Sequence, residues 1–198
     1  MQHGRPAAAG IHRIIRAVGV SLAAGLANFL LAGVVHLLEI PLYFDSIATI
    51  IVSVHLGLVP GLLTAVVTHV LLAGAELVLF PFVCCSMATA VIAWGFRTRG
   101  WLSDYPGYLW MGLLVALANG IGGSVLAYSL FEGVTEVHAI DRLVMGVLIT
   151  GRSMLTSVFW AGMLTNLMDK LISVFAAFLL RDRLARLLQK PVVAREAH

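Results

Sequence analysis

Apolar residues run almost unbroken from 12 to 38, and polar ones return as a short acidic and aromatic stretch, Glu39-Ile40-Pro41-Leu42-Tyr43-Phe44-Asp45-Ser46. A run of that length exceeds the roughly 20 residues that a helix needs to cross a bilayer, and it is too long for the apolar core of a signal peptide, so it predicts a retained first transmembrane helix. A second apolar run extends from about Pro41 or Ser46 to Gly57, with Asp45 or Ser46 placed to cap its helix. Leu58-Val59-Pro60-Gly61 predicts a tight turn, which makes a hairpin of the second and third spans. Pro81 restarts the chain after Phe80, residues 82–96 form a fourth span ending at Arg97-Thr98-Arg99-Gly100, and a fifth runs from about Tyr105 to Phe131. Tyr105, Tyr108 and Trp110 stand where an interfacial aromatic belt belongs, and Asn119-Gly120-Ile121-Gly122-Gly123 predicts close helix packing or a local break beside a cavity.

After the acidic loop with Glu132, Glu136 and Asp141, the chain is apolar again from Ala139 to Leu180, long enough for two crossings. Charge decides between one and two. With a cytoplasmic N-terminus and six crossings, every Lys and Arg except Arg142, Arg152 and Lys170 falls on the cytoplasmic side, whereas seven crossings would export the basic tail. The expectation is therefore an all-α bundle of six transmembrane helices with both termini cytoplasmic. Residues 141–151 form a short external or re-entrant helix, and the last span runs from about Leu155 to Leu180. The chain reads as one integral membrane domain with a basic N-terminal segment, 1–11, and a cytoplasmic tail, 182–198. In that tail Leu184, Leu187 and Leu188 against Arg183, Arg186 and Lys190 predict a basic amphipathic helix.

Composition agrees: 60% of the 198 residues are hydrophobic and 12% charged, which leaves no room for a soluble domain. The net charge of +3 sits in the flanks of apolar runs, where it orients the chain and does not point to nucleic acid. The adjacent Cys84 and Cys85 point about 100° apart on a helix and cannot bridge, so buried thiols are expected.

The chemistry that stands out is an acid and a base side by side in the last span. Asn166, Asp169 and Lys170 fall at i, i+3 and i+4, on one side of an otherwise apolar helix. A charge at membrane depth costs roughly 2.5–3.5 kcal/mol on insertion scales and is normally turned inward and paired. Two uses are open: an internal ion pair that orders the bundle, or a border to a substrate cavity. In the first span Gly19, Ala23 and Ala27 repeat every four residues, a face that lets another helix approach closely. Asn28 and His36 add internal hydrogen bonds farther along. His55, His69 and Glu76 offer a cation or proton site or separate internal hydrogen bonds; His69 and Glu76, seven residues apart, share a face. No nucleophile motif, HExxH or paired-carboxylate signature accompanies these groups or Asp169, so an enzyme is not expected. A ligand site is expected toward the outer half, where Tyr43, Phe44, Asp45, Asn119, Tyr128, Glu132, Arg152 and Asn166 supply aromatic walls and a few polar groups. Arg152, between two apolar runs, is the group for a ligand carboxylate or phosphate.

The Tyr43-Phe44-Asp45-Ser46-Ile47-Ala48-Thr49-Ile50 entry, the Gly57-Leu58-Val59-Pro60-Gly61 hairpin and Asp169-Lys170-Leu171-Ile172-Ser173-Val174 together resemble the membrane-embedded substrate-binding (S) components of energy-coupling factor transporters, over about residues 12–181. The resemblance implies a six-helix bundle that binds a vitamin-like or other small nutrient from outside. It also implies partners for import, a transmembrane coupling subunit and two cytoplasmic ATPases, with Gly19, Ala23 and Ala27 at the place where such proteins meet the coupling subunit. Metal-binding relatives begin with Met followed directly by His, whereas this chain has Met1-Gln2-His3; neither a metal nor a cofactor is expected. A membrane sensor or assembly subunit and an independent ion- or proton-coupled carrier are the other classes the sequence allows.

Overall fold

The computed structural model describes residues 5–135 and 137–189, which contain helices and connecting segments and no strand. The elements are α1 (Arg5–Leu37), α2 (Ile47–Leu56), α3 (Leu58–Ala75), α4 (Val83–Thr98), α5 (Tyr105–Phe131), α6 (His138–Leu148) and α7 (Met154–Gln189), with a 3-10 turn at Leu77–Phe82. Among the described residues, five helical stretches are long and apolar enough to cross a membrane: Gly10–Leu37, Leu58–Ala75, Leu77–Thr98, Tyr105–Phe131 and Met154–Arg183. This is a multi-pass membrane protein. Its surface and interior fit that solvent, because Leu22, Leu26, Leu30, Leu117 and Ile121 face outward while Asn28, Thr49, Thr68, Asn119, Asp169 and Lys170 are buried. Lipid offers polar groups no partner, so they turn inward and find each other.

The short α2 departs from a standard crossing. Its 10 residues rise about 15 Å, about half the thickness of the hydrocarbon core. The reversal into α3 is made by Gly57 at φ +109°, so the expected turn at Leu58–Gly61 is instead the first turn of α3, where Pro60 lacks only an N–H that no helical carbonyl would have accepted. Neither Asp45 nor Ser46 caps α2 through its side chain. That task passes to Asn28 on α1, whose Oδ1 accepts from Ala48 N at 2.8 Å while its Nδ2 donates to Thr49 Oγ1 and Thr68 Oγ1 at 3.0 and 3.2 Å. One amide thus ties α1, α2 and α3 together.

Helix α1 meets α3 through Ser21 and Gly25, where Ser21 Oγ donates to Pro60 O at 3.0 Å and a Cβ on Gly25 would lie 2.5 Å from Val67 Cγ1. Gly19, Ala23 and Ala27 lie on the exposed side of α1. Helix α5 runs unbroken through its glycine run, where Gly120 gives close packing on Met163 of α7 and Gly122 and Gly123 face Cys85 on α4. The short helix expected at 141–151 is α6, three residues earlier, and it buries Ala139, Ile140 and Val144. Two further expectations are corrected: Cys84 is exposed and only Cys85 is partly buried, and Tyr108 is no surface anchor but is buried against Phe178, ring centroids 5.5 Å apart. The tail side chains of Leu184, Leu187, Leu188 and Lys190, and residues Glu136, Met1, Gln2, His3 and Arg195, lie outside the described residues.

Two apolar clusters define the interior. Ile50, Phe96, Tyr108, Met111, Val115 and Val174 fill one, and Ala127, Val144, Val158 and Ala161 form a smaller one where α5, α6 and α7 meet.

Candidate ligand cavity

The entry to α2 is non-helical, and its backbone N–H groups need partners that lipid cannot supply. Asp169 supplies them from α7: its Oδ1 accepts from Tyr43 N at 3.1 Å and from Phe44 N at 2.8 Å. Lys170, 1% exposed, then donates to Asp169 Oδ2 at 2.5 Å, to Ser46 Oγ at 2.6 Å and to Asp45 Oδ1 at 3.1 Å. The acid and base of α7 are therefore paired, but not as a closed couple; they clamp the segment 43–46 onto the last helix. His69 on α3 adds a fourth group. Its Nδ1 lies 3.2 Å from Ala65 O, which can only accept, so the proton is on Nδ1, and Nε2 faces Asp45 Oδ2 at 3.9 Å, beyond hydrogen-bond reach.

This network forms part of the wall of a cavity of about 330 Å³ bounded by α1, α3, the 3-10 turn, the start of α4, α5, α6, α7 and the first loop. The wall is mostly apolar, with Phe29, Leu72, Leu79, Phe82, Val144 and Val158, and is interrupted by Tyr43, Asp45, His69, Asn119, Asn166 and Lys170. His36, Glu76 and Asp141 also border it. Asn119 Nδ2 donates to Thr89 Oγ1 at 2.9 Å, and that hydroxyl spends its own proton on Cys85 O at 3.1 Å, which fixes the amide orientation. Asn119 Oδ1 is left buried without a partner, and so is Glu76 Oε2. The other Glu76 oxygen lies 3.7 Å from His36 Nε2. Asp141 Oδ1 accepts from Thr135 N and Thr135 Oγ1, each at 3.1 Å, and holds the loop after α5 against α6. Outside the cavity wall, Arg142 Nη2 donates to Glu39 Oε2 at 2.8 Å, and this bond to a cation holds the exposed Glu39 carboxyl below its ordinary carboxylate range.

Of the residues singled out from the sequence, Tyr43, Asp45, Asn119 and Asn166 meet on this wall, and Lys170 joins them. Phe44 contributes its backbone N–H to Asp169, but its side chain is not on the wall. Tyr128 and Glu132 are exposed, Glu132 closing α5 in a left-handed conformation at φ 53°. Arg152 is exposed in the turn between α6 and α7 and does not border the cavity. Of the His55, His69 and Glu76 grouping, His69 and Glu76 both border this cavity, whereas His55 lies beside Arg97 and Arg181 in a separate depression. Among the described residues no group of three His, Cys, Asp or Glu is placed to hold a metal ion. Ser124, Phe29 and Phe82 went unmarked in the sequence, because an apolar or small residue in a membrane helix looks the same whether it faces lipid or a cavity. No known protein family, characterised protein or solved structure matches this chain.

Proposed function

We propose that this protein is the substrate-binding membrane subunit of an energy-coupling factor importer and takes a vitamin-like or other small nutrient into the cavity beside the first loop. The observation that carries this reading is the cavity itself: about 330 Å³ of mostly apolar wall with a few convergent polar groups, at the lower end of the roughly 300–1,000 Å³ of small-molecule sites. Tyr43, Asp45, Asn119 and Asn166 are the groups assigned to the ligand, and the resemblance of the entry, hairpin and last-span residues supplies the transporter class. Purification in mild detergent is expected to bring down a transmembrane coupling protein and two ATPases, together with a small molecule detectable by mass spectrometry. Recovery of the chain with a signalling protein in their place would shift the assignment to a sensor subunit.

In this reading α2 and the non-helical segment before it together make a sixth crossing, α6 is an external or re-entrant helix, and both termini are cytoplasmic. Cysteines placed at positions 3 and 196, in a background with Cys84 and Cys85 replaced by alanine, are expected to resist a membrane-impermeant reagent on intact cells, while position 136 reacts. Labelling at 196 would mean an odd number of crossings.

The exposed Gly19, Ala23, Ala27 face of α1 is the surface assigned to the coupling subunit, since a Cβ built on Gly19 meets nothing within 4 Å and the face is free to receive a helix. Ala23→Trp with Ala27→Trp is expected to abolish co-purification of the partner without lowering the melting temperature. Retained co-purification would remove this face from the interface. A second reading, an independent ion- or proton-coupled carrier, draws on His69 beside Asp45; concentrative uptake by liposomes holding only this chain would favour it.

A further inference from the structure

We propose that the cavity selects an organic cation, a small molecule with an apolar body and a protonated nitrogen. This rests on the binding reading above and adds the class of ligand. Three carboxylates, Asp45, Glu76 and Asp141, border the cavity against one ammonium, Lys170, so on the formal charges of its acids and its lysine the wall carries a surplus of two negatives. Asp169, bonded to the same ammonium, adds a fourth carboxylate. Surplus charge of one sign in a low-dielectric wall is unfavourable, and a ligand of opposite sign relieves it.

Lys170 is not free to receive an anion. An ammonium has three protons, and Asp169, Ser46 and Asp45 take all three. No arginine among the described residues borders the cavity, Arg142 and Arg152 included. What the wall leaves open are acceptors. Asn119, 4% exposed, has its amide nitrogen committed to Thr89 and its Oδ1 without a donor, and Glu76 Oε2 is in the same state. Two buried, unpartnered acceptors on one cavity call for a ligand rich in N–H donors. The rings of Phe29, Tyr43 and Phe82 on the same wall suit the apolar body of such a ligand. The mostly apolar wall suits the body of an organic cation better than a bare ion, which would want polar ligands all round.

The test uses the purified full-length chain in detergent and three size-matched probes, 2-phenylethylamine, 2-phenylethanol and 3-phenylpropanoate, with dissociation constants from calorimetry. The amine is expected to bind at least about 10-fold more tightly than the other two, as a charge-assisted hydrogen bond implies. Glu76→Gln and Asn119→Leu are each expected to weaken the amine by about 10-fold and to change the alcohol less than about 2-fold. Tighter or equal binding of the alcohol or carboxylate overturns the cation assignment while leaving a small-molecule cavity in place. Amine binding that ignores both substitutions also overturns it, because the amine then sits elsewhere. Failure of all three probes to bind removes the cavity reading and this inference together.

Discussion

Lys170→Met is expected to lower the stability of the purified protein by about 3–5 kcal/mol, the largest loss from any single side chain in the bundle. Methionine keeps the shape of the stem, so packing survives, but Asp169 and Asp45 are left as two buried carboxylates with no cation between them. Asp169→Asn is expected to be milder. Lys170 then keeps Asp45 and Ser46, and an asparagine Oδ1 can still accept the Tyr43 and Phe44 N–H groups. Combining the two changes is expected to cost less than Lys170→Met alone, because only Asp45 then stays charged, and the double-mutant cycle reads that coupling directly. A simple two-residue couple would make each single change worse than the double; Asp45, as a third member, breaks that symmetry. Thermal unfolding in detergent measures all three. A Lys170→Met variant within about 1 kcal/mol of the parent would show that the buried ammonium does not hold the first loop on α7.

The second large effect is expected at Gly112→Ala. Alanine is the better helix former by about 1 kcal/mol, so the substitution in an isolated helix would stabilise. Here a Cβ would lie 2.7 Å from Val174 Cγ2 and 3.2 Å from its Cγ1, and Val174 is fully buried with a stiff β-branched side chain. The helices must separate where α5 crosses α7, beside Lys170 O at 3.5 Å, so a net loss of about 1–3 kcal/mol is expected. Gly122→Ala in the same helix is the control. Its Cβ meets only Cys85 Sγ at 3.8 Å, and the variant is expected to match or exceed the parent. Equal melting temperatures for the two variants would mean that α5 and α7 do not approach as closely as Gly112 requires.

Much of the architecture was legible along the chain. Long apolar runs gave the membrane class and the main helices, since a bilayer demands about 20 apolar residues in a row. Pro81, Arg97-Thr98-Arg99-Gly100 and Gly151 bounded elements within a few residues. Asp169 and Lys170 announced an inward polar face because a charge inside an apolar helix has few other places to go. The candidate site was less legible. Tyr43, Asp45, Asn119 and Asn166 reach the cavity, whereas Tyr128 and Arg152, equally plausible by residue type, turn outward.

The sequence by itself determined what is local: where the main helices lie, the inward character of Asn166, Asp169 and Lys170, and the presence of a small-residue stripe on α1, although the last span and its tail form one helix, Met154–Gln189. Only the tertiary structure decided that Lys170 meets Asp45 and Ser46, which lie 125 and 124 residues away, that Asn28 caps α2, and that α1 packs inward through Ser21 and Gly25 while Gly19, Ala23 and Ala27 stay exposed. The reason is physical. Spacing along a helix fixes which side chains share a face, but which way that face turns depends on the rotation and crossing of whole helices. In lipid a buried polar group accepts any partner of suitable chemistry, so pairing is settled by the folded path of the loops and not by the residue's own neighbours.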